Sequence, residues 1–311
     1  MDQQTLDHLR TWVGRREQLD DLIAPSKVAA LAATLDRDDP LPLTGDPLPP
    51  PWHWTLCVSA ARQSAIGLDG HPARGGFLPP VPLPRRMWAG GRLSFPQPLR
   101  VGETVQRRSQ VMSVAHKSGR SGGLVFVLVR HEFHGANGLA ITEEHDIVYR
   151  DLPSAVGSAP AAGFAQPADS AGAEQCSAKP ALHPAPTPVA APMDCAWQRT
   201  IVPDDVLLFR YSALTFNGHR IHYDRRYVTE IEGYPGLIVH GPLIATLLLD
   251  LVRRNLPDAA IAAFEFKAVK PLFDIAPFSV HGQPQADGKC VKLWARDADG
   301  WLAMSATATL N

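Results

Sequence analysis

Residues 242–256 restrict what this 311-residue chain can fold into more than any other stretch. Leu243, Ile244, Ala245, Leu247, Leu248, Leu249, Leu251 and Val252 leave almost no polar face, and a helix that is apolar all round has to be enclosed by other elements. Its end is marked by Arg253 and Arg254, which suit the negative end of a helix, and by Pro257, which cannot continue it. Strand-like runs follow at 260–269, 277–282, 290–295 and 301–310. One buried helix followed by antiparallel strands is what a sheet wrapped around a helix requires.

The earlier part of the chain has a similar texture. Runs rich in strand formers occur at 91–95, 103–116, 123–133 and 138–149, with 117–123 reading as a hairpin connection. Ahead of them, Leu6, Leu9, Trp12, Val13 and Leu19 recur at helical spacing within 2–20, and Ser26 is placed to cap an Ala-rich helix reaching about Leu35. Residues 40–84, crowded with Pro and Gly around Trp52, Trp54 and Phe77, read as an irregular wrap. The stretch 154–192 is mostly Ala, Pro, Gly and Ser and has little to bury. The expected organisation is therefore an N-terminal domain at 1–153 with a helical lead-in, a linker at 154–192, and a C-terminal domain at 193–311.

Composition excludes several partners. Lys and Arg total 30 against 31 for Asp and Glu, so no positive excess exists to neutralise nucleic acid or an anionic membrane. Cys57, Cys176, Cys195 and Cys290 lack the paired spacing of a zinc site or a disulfide framework, which fits a reducing cytoplasm. Residues 1–21 are polar and charged, and no run of about 18 apolar residues occurs, so a soluble protein is expected.

The segment richest in chemistry runs Thr215-Phe216-Asn217-Gly218-His219-Arg220-Ile221-His222-Tyr223-Asp224, followed at 233–242 by Gly233-Tyr234-Pro235-Gly236-Leu237-Ile238-Val239-His240-Gly241-Pro242. It resembles the active-site segment of MaoC-like (R)-specific enoyl-CoA hydratases, where a polar loop ending in histidine precedes a His-Gly at the start of a buried helix. Gly75-Gly76-Phe77-Leu78-Pro79-Pro80, the run from Pro84 through Arg85 and Arg86 to Gly91, Lys117-Ser118-Gly119-Arg120 and the run from Glu143 to Arg150 look like the mesaconyl-C(4)-CoA hydratase branch of that family. The resemblance implies an α+β double hot-dog fold, two antiparallel sheets each wrapped around a central helix. It also implies hydration of a short enoyl-CoA, by preference mesaconyl-C(4)-CoA, with an acyl-CoA as partner and no cofactor or metal.

Adding water across a double bond conjugated to a thioester needs a base for the water, an acid for the α-carbon and a donor for the enolate-like oxygen. His222 can move the proton. Gly241, just before the Pro242 helix start, offers a backbone N–H at a positive helix end with no side chain in the way. The usual family aspartate is replaced by Asn217 and the usual asparagine by His219. Asn217 cannot take a proton and is expected to hold the water or orient His222, which then acts alone or with Asp224 or His219. His240 is expected to make a structural hydrogen bond at the helix entry, and a metal reading of His219, His222 and His240 is discounted because the chemistry needs none. For an anionic part of the substrate, the candidates are Arg85, Arg86, Arg120 and Arg220, with His219 beside them. Reversal would make the chain a 3-hydroxyacyl-thioester dehydratase. A hot-dog thioesterase or a non-catalytic acyl-CoA-binding module are the other classes, and a homo-oligomer is compatible with the fold.

Overall fold

The computed structural model describes residues 1–119, 122–150 and 188–311. In chain order the elements are α1 (Gln3–Arg10), β1 (Arg16–Leu22), α2 (Pro25–Thr34), β2 (Arg85–Ser94), β3 (Thr104–Gly119), β4 (Gly122–Gly135) and β5 (Gly138–Arg150). After them come β6 (Trp197–Ile201), α3 (Asp205–Leu214), α4 (Gly241–Asn255), β7 (Ile261–Ala268), β8 (Phe278–Pro284), β9 (Cys290–Arg296) and β10 (Leu302–Leu310). The strands form one antiparallel sheet in the order β1-β3-β4-β5-β2-β7-β10-β9-β8-β6. Five strands from each half meet where Gly90–Ser94 of β2 pair with Ala263–Lys267 of β7. The α+β architecture is as expected, with the two anticipated sheets fused edge to edge.

The helix α4 lies inside that sheet. All its residues from Leu243 to Val252 are buried, and they share one apolar core with Val28, Leu31 and Ala32 of α2 and with Val105, Phe133 and Ile141 of the first half. One charge goes in with it. Asp250, 3% exposed, accepts from Arg37 at 2.7 Å, Arg199 at 3.0 Å and Arg254 at 2.7 Å. Arg199 and Arg254 also donate to the Leu35 carbonyl just beyond α2, so second-half arginines satisfy orphan acceptors of the first-half helix.

A polar layer crosses the inner face of the first half between two apolar clusters. Buried Glu143 accepts from Trp54 Nε1 at 2.7 Å, and hydrogen-bonds His145 and, at 2.9 Å, His53. Burial works against its charge, but these two imidazoles hold it well below the usual carboxylate range.

Several local expectations are corrected. The lead-in helix stops at Arg10, and Arg16–Leu22 is a strand paired with β3, because Gly14 takes a left-handed backbone (φ +88) and turns the chain back. The cap of α2 is Ala24, with Pro25 in the first turn, and Ser26 lies inside the helix. A helix that was not anticipated, α3, precedes the polar loop, its first turn closed by Asp204 accepting from the Leu207 amide at 2.8 Å. Of the linker proposed at 154–192, 154–187 lies outside the described residues, while Ala190 bridges Trp301 at the edge of β10. Removing the Asp250 carboxylate leaves three guanidinium groups without their shared partner, so Asp250→Ala should lose about 3 kcal/mol of stability by denaturant unfolding. A loss below about 1 kcal/mol would mean that the arginines find other partners.

Candidate active site

The site is built by the connection between α3 and α4. Beyond Leu214, Phe216 adopts a left-handed backbone (φ +49), which lets the Asn217 amide reach back to the Ser212 carbonyl at 2.8 Å. The Asn217 Oδ1 then accepts the His219 amide at 3.1 Å, and a short 3-10 turn at Arg220–His222 carries the His222 ring inward until it is 7% exposed. The Ile238 amide donates to the Ile221 carbonyl at 3.0 Å, and His222 Nδ1–H donates to the Ile238 carbonyl at 2.7 Å. This fixes the tautomer and leaves the lone pair on Nε2. The ring is oriented by Ile238 and not, as expected, by Asn217, whose oxygen is committed to its own loop.

The His240 ring stacks on His222 at 3.7 Å between centroids and 18° between planes. Its Nε2 hydrogen-bonds Ser212 Oγ at 2.8 Å, the structural role foreseen for it. The next residue, Gly241, opens α4, and its amide has no partner among the described residues. A Cβ built at Gly241 would meet nothing within 4 Å. Room for a side chain is therefore left unfilled at Gly241, one stacked ring away from the His222 imidazole.

Burial pulls His222 down to about 4, the Ile238 carbonyl opposing this and His71 adding to it. Burial and then the neighbouring imidazoles His71 and His222 lower His219, and burial, His222 and His219 lower His240. All three rings are neutral at physiological pH, the state in which an imidazole accepts a proton.

The first half supplies a group that the sequence did not point to. The loop Gly67-Leu68-Asp69-Gly70-His71 lies directly on the 217–224 loop. The Arg220 amide donates to the Asp69 carbonyl at 2.9 Å, and the Arg220 side chain to the Leu68 carbonyl at 3.0 Å. The backbones are so close that a Cβ at Gly70 would stand 1.8 Å from the Gly218 carbonyl oxygen, and Gly70 also needs its positive φ of +86. Asp69 Oδ2 lies 3.1 Å from His71 Nδ1, and the His71 ring packs on His219 at 4.0 Å, with His219 edge-on to His222 at 5.5 Å. Nothing in an Asp-Gly-His turn links it by pattern to a loop about 150 residues away, so only the fold reveals it. Polar atoms of Asp69, His71 and His219 approach within 4.8 Å of one another. His71 Nδ1 is engaged by Asp69, the His71 and His219 rings are tilted at 44° and His219 is edge-on to His222, so the three imidazoles form a packed row that leads from Asp69 to His222.

The candidate arginines separate. Arg220 is held by Asp224 at 2.8 and 2.9 Å and lies over the Tyr227 ring at 4.2 Å, so Asp224 is not a partner for His222. Arg85 donates to Glu232 Oε2 at 3.1 Å and lies 4.7 Å above Tyr234, tying the first half to the second. Arg86, across the ladder from Tyr149, forms no ion pair among the described residues, and its charge bears on His71. Arg120 lies outside the described residues.

A family model described as hydroxyacyl-thioester dehydratase type 2 matches residues 51–274. The chain belongs to this family. It is 45% identical over 301 residues to a mesaconyl-C(4)-CoA hydratase of Chloroflexus aurantiacus, covering 96% of this chain and 97% of that protein. It is 25% identical over 292 residues to a mitochondrial hydroxyacyl-thioester dehydratase type 2 of Schizosaccharomyces pombe, covering 84% and 88%. Among solved structures, a MaoC-like dehydratase superposes with TM-score 0.67 at 15% identity over 98% of this chain and 99% of its own. A Mycobacterium tuberculosis protein described as having a double hot-dog fold superposes with TM-score 0.54 at 16% identity over 98% of each. The fused sheet is thus a double hot-dog.

Neutral buried imidazoles also set how this dehydratase-family fold responds to acid. His222 is held at about 4 in the folded chain against an ordinary 6.5, so its contribution to stability is complete above about pH 6.5 and is lost as pH falls through 4. His219 and His240 act with the same sign. The thermal midpoint should fall progressively between about pH 6.5 and 4; a flat profile there would show that these rings are not buried neutral.

Proposed function

We propose that this chain is a hydro-lyase that adds water to mesaconyl-C(4)-CoA to give citramalyl-CoA, with His222 as acid–base group and the Gly241 amide as donor to the thioester oxygen. The observation that carries the site assignment is the His222 imidazole stacked on the ring of His240, the residue that precedes Gly241, with no atom crowding the missing Gly241 side chain. The substrate follows from the hydratase that is 45% identical over nearly the whole length of both chains.

In this reading neutral Nε2 of His222 takes a proton from water as the oxygen bonds the β-carbon. Charge moves onto the thioester oxygen, which the Gly241 N–H meets at the positive end of α4. One such donor lowers the barrier by about 3 kcal/mol. A positioned base contributes about 10²–10⁴-fold.

Loss of the conjugated-thioester absorbance on adding mesaconyl-C(4)-CoA tests the activity. His222→Ala should lower kcat by about 10²–10⁴. Gly241→Ala keeps the amide but puts a methyl beside it, so the thermal midpoint should hold while kcat/KM falls because the thioester oxygen is kept from close approach. Full activity in His222→Ala would refute its role, full activity in Gly241→Ala would show that the substrate makes no close approach at Gly241, and release of free thiol from saturated acyl-CoA would select a thioesterase instead.

Mesaconyl-C(4)-CoA keeps a free carboxylate beside the β-carbon. Arg86 is the candidate arginine with no carboxylate partner among the described residues, and it borders the imidazole row. Arg86→Gln should raise KM for the dicarboxylic substrate and leave crotonyl-CoA unaffected. Equal changes for both would remove Arg86 from recognition.

A further inference from the structure

Hydration takes one proton from water and puts one on the α-carbon, while His222 offers a single free nitrogen. The other groups around it are poorly suited to the second transfer. Asn217 exchanges no proton. Asp224 is held by Arg220 and by the Tyr227 amide, and His240 has Nε2 on Ser212. The Tyr211 hydroxyl is raised by burial and sits deep in the core.

The row that continues from His222 leads to a better candidate. We infer that His71, oriented by Asp69 and contributed by the first half of the chain, is the second proton carrier of the site. This rests on the reading of His222 as the base. Asp69 grips His71 twice, with Oδ2 3.1 Å from Nδ1 and Oδ1 accepting the His71 amide at 3.0 Å, so ring and backbone are both fixed and Nε2 is left free. Asp69 is the anion at this row. Burial opposes its charge, but the bonds from His71 hold it far below the ordinary carboxylate value, so it remains ionised. A carboxylate on Nδ1 favours the imidazolium, so of the two rings His71 has an anion for a partner and His222 only a carbonyl. Burial, with Arg86 and Arg74, holds His71 below the ordinary imidazole value against the pull of Asp69, so the proton it delivers is taken up during turnover. The anionic substrate adds to the favourable side. The docking of Gly70 on Gly218 and of Arg220 on Asp69 holds the dyad against the catalytic loop.

The step balances. His222 Nε2 removes a proton from water as oxygen bonds the β-carbon, and the double-bond pair moves onto the thioester carbonyl. The enolate collapses as the α-carbon takes the proton from His71, whose N–H bond breaks. The proton on His222 then returns to His71 past His219, which lies between the two rings, and both start again as before. In reverse, His71 removes the α-proton and His222 protonates the departing hydroxyl.

That division of labour predicts behaviour that a merely structural dyad would not give. His71→Gln, Asp69→Asn and His222→Gln are compared for hydration of mesaconyl-C(4)-CoA and for exchange of the α-methylene hydrogens of citramalyl-CoA in D2O, with thermal unfolding to confirm the fold. His71→Gln should lose about 10²–10⁴ in kcat with KM little changed, and should no longer exchange the α-hydrogens. His222→Gln should lose hydration but still exchange them. Asp69→Asn should move the alkaline limb of the hydration profile to lower pH, because His71 then holds its proton less well, and this arm decides if His71→Gln does not fold. Wild-type hydration and exchange in His71→Gln, or an unmoved alkaline limb in Asp69→Asn, overturns the inference and leaves His222 in place. Full hydration by His222→Gln overturns the underlying reading itself. Activity lost to EDTA and restored by zinc would also overturn the inference, by making the row a metal site.

Discussion

The enclosure of α4 is the constraint on which the rest depends. A helix buried from Leu243 to Val252 gains on the order of 1.5–3 kcal/mol for each large apolar side chain taken from water, and a curved sheet closes around it. Enclosure fixes the direction of the helix, and so fixes the first amide of its N-terminus. The other end is held with equal definition, since Asp250 gathers Arg37, Arg199 and Arg254, and the arginines reach across to the carbonyl that follows α2. The same helix supplies the core, the joint between the halves and the amide proposed as donor at the site.

The two halves meet along the β2–β7 ladder, through the arginines at the end of α2, and by the seating of the 67–71 loop on the 217–224 loop. The last contact places Asp69 and His71 of the first half against the loop that carries His222. A second half alone would keep His222 and Gly241 but lose Asp69, His71 and Arg86. Arg85 illustrates the same dependence, because its guanidinium lies on Tyr234 and Glu232 of the site's own connection.

The all-apolar helix and the strand runs could be read directly, because periodicity and burial are local properties of sequence. Gly241 before Pro242 was equally legible, since helix starts are written in a few adjacent residues. The first residues misled because Leu19 suits a helix and a strand alike, and the turn at Gly14 decided between them. The α3 helix was missed because its apolar residues Val206 and Phe209 face outward, leaving no clean stripe to detect. His222 could be picked from its loop, but its orienting partner is a backbone carbonyl at Ile238, which no side-chain pattern announces. His71 and Asp69 were invisible for a related reason. Their significance lies in a contact between distant loops permitted by two glycines.

Convergence of His222 and Gly241 on a single acyl group is tested most directly by a crystal structure with citramalyl-CoA bound. The thioester oxygen should lie about 3 Å from the Gly241 nitrogen, with the hydroxyl within hydrogen-bond reach of His222 Nε2. An acyl group seated elsewhere, with neither contact made, would contradict it.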